Sequence, residues 1–475
     1  MKKIPKKYLQ IILNVSLILS IPIIGNIVRT SNLEIYQLNV ESEIKNFEDL
    51  KREIESGSTD LFFSEAKIFI ANSNIKVPGN FRMDGNHSIL DMQSYQFILE
   101  EGDIELSNLT LRGERPFHAV NSLNFKGETI LEVESLIANH LEISGIFEMR
   151  GEGVQLKGNG YGDFEIAANA IVMIEGDVLN YERYRFGRES IFTGYRIQSE
   201  TVTDFEIGES AHVNLESALK LESSNDVAII IKNKGELIVL SHYDRGEIPL
   251  MIDGELKLMV HKEGMMIISS DSIGMLLSGN EDKQLFVEGF LSVTGALVAI
   301  DQSNLAMSVQ SGGKVQLETF NEELSYGTLY SAGAATYRVE GLGSMMTVLY
   351  HGGPNGAIHH SGLKDLNIEV FEGGLMRVMH HNEVISSEVG RAAIVAEEES
   401  VKSSIVIKGE GSTLDIKNEG KADVISPNGA IDINGNLYIL DGGRLQVMNK
   451  NLSPTLSLGY GRIIVDETGC VEIIN

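Results

Sequence analysis

The stretch "YERYRFGRESIFTGYR" (181–196) interleaves Arg183, Arg185, Arg188 and Arg196 with Tyr181, Tyr184, Phe186, Phe192 and Tyr195. A guanidinium grips carboxylate or phosphate through a two-pronged hydrogen bond, and an aromatic ring can stack on a sugar face. Arg183, Tyr184, Arg185, Arg188, Tyr195 and Arg196 are therefore the candidate ligand-binding residues, suited to an anionic glycan or cell-wall polymer. The competing reading is a long loop packed on the protein body, with the Arg stems covering apolar surface and pairing with Glu182 and Glu189.

Five of the eleven histidines (His351, His359, His360, His380, His381) crowd into "YHGGPNGAIHHSG" and "MRVMHHNE". Adjacent residues on a strand point to opposite faces, and no HxH or HExxH spacing occurs, so we expect exposed corner residues and no metal site. Met265, Met266, Met345 and Met346 sit in apolar runs and read as core filler. Cys470 is the only cysteine. It excludes an internal disulfide and, in the run "GCVEIIN", is expected to be a small buried residue. No cofactor is implied.

The formal charge is −28, and the first 30 residues hold five cations and no acid, so the remainder is more acidic still. Bare phosphate is repelled by such a field, which argues against nucleic acid and against non-specific binding to anionic lipid. A cationic start "MKKIPKKYLQ" followed by the apolar "IILNVSLILSIPIIGNIV" has the layout of an export signal. Residues 1–30 are read as a leader, with an uncleaved membrane anchor as the alternative, and the product as secreted or held at the cell surface.

These side chains need a frame, and periodicity supplies it. "NFEDLKREIESG" places Phe47, Leu50 and Ile54 on one helical face behind an Asn46 N-cap, with Gly57 at the other end. From there the period is two. Units such as "GELIV" (from Gly235), "GELKL" (Gly254), "GFLSV" (Gly289), "GKVQL" (Gly313) and "GRLQV" (Gly443) each join a turn glycine to a strand with one apolar face. Repetition of this kind marks a stacked solenoid, and the predicted fold is all-β: a right-handed parallel β-helix of roughly 24 residues per coil with a short N-terminal capping helix. Pairs such as Leu237/Val239, Leu256/Leu258 and Leu445/Val447 should point inward, while Lys257 and Gln316 point outward. In "FRMDGNHSILDM", Asp84-Gly85-Asn86 should form a corner, with His87 and Ser88 on the turn and Ile89 returning to the core.

The order "FEDLKREI", then "LFFSEAKIFIANSNIKVPGNFRMDGNHSILDM", then "YQFILEEGDIELSNLTLRG" resembles the pectate-lyase-like adhesive domain of surface proteins from Gram-positive bacteria, most clearly over residues 38–175. The resemblance implies that residues 31–475 form one adhesive or scaffolding β-helix domain that binds wall polymer, host glycan or a partner protein. Polysaccharide lyases and polygalacturonases share the architecture. The chain lacks the "NTD", "GHG" and "RIK" patterns of polygalacturonases, so it is read as non-catalytic. The alternative is a lyase or hydrolase acting on a uronate-rich polymer.

Overall fold

In the computed structural model the described residues run from Ile44 to Ile474, apart from 100–101, 119, 152, 224–225, 242–246, 321–325, 353–354, 382–391, 398–401, 420–429 and 451–454. The expected leader (1–30) lies outside them.

The only helix among the described residues, α1 (Phe47–Glu55), forms where the sequence places it. The Asn46 side chain accepts a hydrogen bond from the Asp49 amide, Glu48 and Asp49 occupy the first turn, and Phe47, Leu50 and Ile54 are buried. Cap, charge and stripe all favour this one short helix. Ser56 is the C-cap, and Gly57 follows at φ +96°.

The rest is a parallel β-helix. Among the described residues one sheet of 37 strands continues from coil to coil, with Ile75–Val77 and Phe97–Leu99 pairing in a separate two-stranded sheet, so strands pair with their counterparts in neighbouring turns. Every described strand pairing is parallel, and the strands fall into three ladders. Ladder A includes Asp163–Ile166, Arg183–Phe186, Asp204–Ile207, Val227–Ile231 and Leu256–Val260. Ladder B includes Lys314–Thr319, Met345–His351, Leu375–His381 and Thr413–Glu419. Ladder C includes Leu329–Ser331, Ile358–His360 and Ile394–Ala396.

The core is the stack of inward side chains. Leu237, Val239, Leu256, Leu258, Leu445 and Val447 are all at most 1% exposed, whereas Lys257 and Gln316 face solvent. Strict alternation in consecutive coils at one register creates this continuous apolar column, because a one-residue slip would expose a whole row. Coil length varies widely about the expected average. Asn121 and Asn139, 18 residues apart, occupy adjacent coils, as do His381 and Glu419, 38 apart. The ladders fix only the strands, so the connections are free to lengthen.

The Asp84-Gly85-Asn86 corner bends inside a single extended strand, Phe81–Asp91. Asn86 and His87 take φ +42° and +62°, and the register to the next coil shifts between Asp84 and Ser88. The bulge flips the phase. Ser88 and Leu90 point inward, not Ile89, and the Ser88 hydroxyl accepts the Lys67 amide at 2.9 Å. Asn108 repeats the left-handed backbone one coil on and donates to both Asp84 carboxylate oxygens at 3.2 Å. His87 remains exposed on the turn.

Candidate functional site

The Arg–aromatic stretch is two strands and a turn, not a loop laid over the body. Arg183–Phe186 alternates in exposure because it belongs to ladder A, and Ile191–Ser199 continues into ladders B and C. Period two puts Tyr184 and Phe186 inside and Arg183 and Arg185 outside. Tyr181, Tyr184, Phe186 and Phe192 are at most 1% exposed and cluster with Phe164 and Phe205 at centroid distances of 5.3–6.1 Å. The Tyr184 hydroxyl accepts the Tyr181 amide at 3.2 Å. Burial pushes both phenols above their ordinary range. The Tyr184 ring is therefore a core residue and has no face to offer a ligand, which corrects its expected stacking role. Tyr195 is half-buried at the register shift between Gly194 and Arg196.

Most of the expected positive potential is neutralised. Arg183 grips Asp163 one coil away through two hydrogen bonds, Nη2 to Oδ2 at 3.0 Å and Nε to Oδ1. Arg196 holds Asp177 in the same manner at 3.2 and 2.6 Å and lies 3.5 Å from Glu247. Arg188 meets Glu189 at 3.1 Å. The partner carboxylates push the Arg183 and Arg196 guanidiniums further up. Arg185 is exposed, with Glu165 and Glu206 beside it in register on the flanking coils. Of the six candidates, Arg183 and Arg196 are in ion pairs that bridge coils, Arg188 pairs with its neighbour Glu189, Tyr184 is a buried ring, Tyr195 is half-buried and Arg185 is exposed.

The histidines are not corner residues. His359, His360 and His380 are at most 4% exposed on strands, while His351 and His381 are half-buried on the outer face of ladder B. His360 Nδ1 lies 2.9 Å from the Ser331 hydroxyl and Nε2 lies 2.6 Å from the Lys364 carbonyl. His351 and His381 meet Glu318 and Glu419, each at 3.3 Å. Among the described residues no three His, Cys, Asp or Glu side chains are placed to hold a metal ion. Met266 and Met346 are core residues; their neighbours Met265 and Met345 are partly exposed. Cys470 is exposed, contrary to expectation, because it takes the outward phase in register with Arg444.

Two features escape reading by local motif. Lys283 is fully buried in the inward row between Leu256 and Leu305, where its ammonium donates to the Gly254 carbonyl. Burial pushes its pKa down against the pull of Glu281, Asp253, Glu255 and Asp282. The phase of "KQLFV", with Lys283, Leu285 and Val287 on one face, is the signal for it.

The second is a groove of about 610 Å³, open to solvent, across four coils where ladder B gives way to ladder C. Gln93 and Ser94, Gly113 and Glu114, Glu132 to Glu134, and Arg150, Gly151 and Val154 line it. The coils are held in step there by amide-to-carbonyl bonds from Glu114 to Gln93 (2.9 Å), Glu134 to Glu114 (3.1 Å) and Gln155 to Glu134 (3.1 Å). Gly113 has φ +136°, and a β-carbon on it would meet the Gln93 carbonyl oxygen at 2.7 Å, so the close approach of these two turns requires glycine. Of the lining side chains, Arg150 meets Glu148 at 2.5 Å, and Glu132 meets Arg112, which lies beside the groove, at 2.6 Å. Glu114 and Glu134 are exposed. They are 20 positions apart in the chain but share one phase after "LTLRG" and "TILEV", which aligned coils would reveal. The arrangement can hydrogen-bond hydroxyl and amine groups of an extended ligand laid across the coils. The chain matches no family model, no curated protein and no solved structure in the three comparisons made.

Proposed function

We propose that the chain is an exported, non-catalytic adhesive β-helix that holds a glycan or other surface polymer at the cell exterior. The observation that carries this reading is the groove from Gln93 to Val154, which crosses four coils and lies open to solvent. A polymer can lie across such a surface and gain one modest contact per coil, so affinity comes from length. The order of motifs over residues 38–175 and the cationic-then-apolar start support surface display. A parallel stack of coils suits the role, since it presents repeated outer faces on a core that tolerates outward substitution.

The test is retention of the purified protein on immobilised cell-wall polymers and neutral glycans, with release of new reducing or unsaturated ends measured in parallel. Retention without turnover is expected, with or without added calcium. Turnover abolished by a single Glu or Arg substitution in the groove would establish the lyase or hydrolase alternative.

A further inference from the structure

We infer that the outer face of ladder B, between Glu236 and Met379, is a docking surface for a second copy of this chain. Three outward columns run along that face through six consecutive coils. The first joins Glu236, Met265, Phe290, Lys314, Met345 and Leu375, and the third joins Leu240, Ser269, Thr294, Glu318, Leu349 and Met379. The column between them begins at Ile238 and ends at Arg377. All of these side chains are at least partly exposed, and half of them are apolar. The four charges on the face, Glu236, Lys314, Glu318 and Arg377, sum to zero on a chain of net charge −28. At its rim Lys234 lies 3.9 Å from Glu263 and His261 3.9 Å from Glu288, while Lys262, Asp271 and Glu372 are exposed. A contiguous apolar face of this extent marks a contact surface, and two copies of an acidic chain can approach only where the field is weak.

The order of the columns selects the occupant. When two such faces pack about a two-fold axis parallel to the stacking direction, their strands run in opposite senses across the interface. The first column of one copy then lies over the third column of the other, coil for coil. Lys314 faces Glu318 of the second copy, Met345 faces its Leu349 and Leu375 its Met379, each contact made twice by symmetry. Lys314 is exposed and makes no ion pair among the described residues. Glu318 already meets Gln316 at 3.2 Å and His351 at 3.3 Å, which fix its carboxylate in place. Glu236 is held by His212 at 2.8 Å, and Arg377, which would face its own counterpart, has Asp415 of its own chain at 3.8 Å. Nearer the N-terminus the same geometry would set Glu128 against Glu132 and Glu148 against its counterpart, which confines the contact to the six coils. Their outward side chains fall just short of the roughly 20–30 residues a side of a stable interface, so the pairing is weak.

Sedimentation equilibrium of the full chain at low salt, over roughly 1–200 μM, tests this. A dimer with a Kd of about 10 μM is expected. Lys314→Glu and Glu318→Lys should each weaken it about tenfold, because each sets like charges in opposition. An equimolar mixture of the two variants should recover the wild-type affinity, since each copy then meets its complement. Met345→Glu should weaken the dimer by a similar factor and leave the melting temperature unchanged, and it decides alone if Glu318→Lys fails to fold. A monomer at every concentration overturns the inference. So does a dimer that none of the three substitutions weakens, which places the contact elsewhere on the chain. A mixture of the two folded charge variants that stays monomeric also overturns it and leaves the face to a partner of another sequence.

Discussion

Tyr184 and Arg185 are neighbours in the chain and lie on opposite sides of the ladder, so substitution should separate them sharply. Tyr184 is wholly buried among Phe164, Tyr181 and Phe205. Tyr184→Ala should cost about 3–5 kcal/mol in denaturant unfolding, the usual cost of removing a large core ring, while Arg185→Ala should stay within about 0.5 kcal/mol. The opposite ranking would place the ring at the surface. His360 offers a second residue-scale test. Its Nε2 lies 2.6 Å from the Lys364 carbonyl and its Nδ1 2.9 Å from the Ser331 hydroxyl, and burial pushes its pKa below the ordinary 6.5 against the pull of the Lys364 carbonyl and of Asp365. Below about pH 6.5 the unfolded chain takes up a proton that the folded ring resists. The contribution of His360 to stability is therefore full above that pH and is lost as pH falls. Melting temperatures measured from pH 7.5 down to 5 should drop, and His360→Gln should flatten the slope; an unchanged slope in that variant refutes the assignment.

At the scale of the element, each strand carries one face for the column and one for solvent. Leu256 is inward at 1% exposure and in register with Val227 and Lys283, while Lys257 beside it is exposed. Leu258, wholly buried between Ile229 and Leu285 on the flanking coils, is the cleaner test: Leu258→Asp should abolish soluble expression by burying an unpaired carboxylate, and Lys257→Asp should express normally. Equal yields of the two would contradict the register. The helix should respond to its cap. Asn46→Ala removes the acceptor for the Asp49 amide and should cost about 1 kcal/mol, read as a lower unfolding midpoint.

Across the whole molecule, stability in a solenoid is a chain of nearest-neighbour terms, and coils of different construction should open separately. The coils around Phe164–Phe205 are joined by short connections and share the aromatic cluster. Those from Met345 to Asn449 carry coil lengths up to 38 residues and interior polar residues: His380, Asn418 and Asn449 stand one above another on the inward face of ladder B. Amide hydrogen exchange should therefore show greatest protection at residues 164–207 and earlier opening beyond 345. A single exchange rate for both blocks would mean that the solenoid opens as one unit.

The sequence by itself determined the fold class, the helix and the inward rows, because each is written within a few consecutive residues. A period of two, a glycine at the turn and an Asn before an amphipathic stripe are local signals that need no partner to be read. The bulge at Asp84–Ser88 shows where that logic stops: one left-handed turn moved Leu90 into the place expected of Ile89. The inward place of Tyr184 is also local, since "RYRF" alternates in exposure as the other strands do, with the two rings inside and the two arginines outside. Glu114 and Glu134, Arg183 with Asp163, and His360 with Ser331 meet only because coils of unequal length return to the same register. Tertiary structure alone decided these encounters. The number of residues in each turn sets which outward side chains stack, and a connection can take many lengths while leaving the ladder hydrogen bonds unchanged.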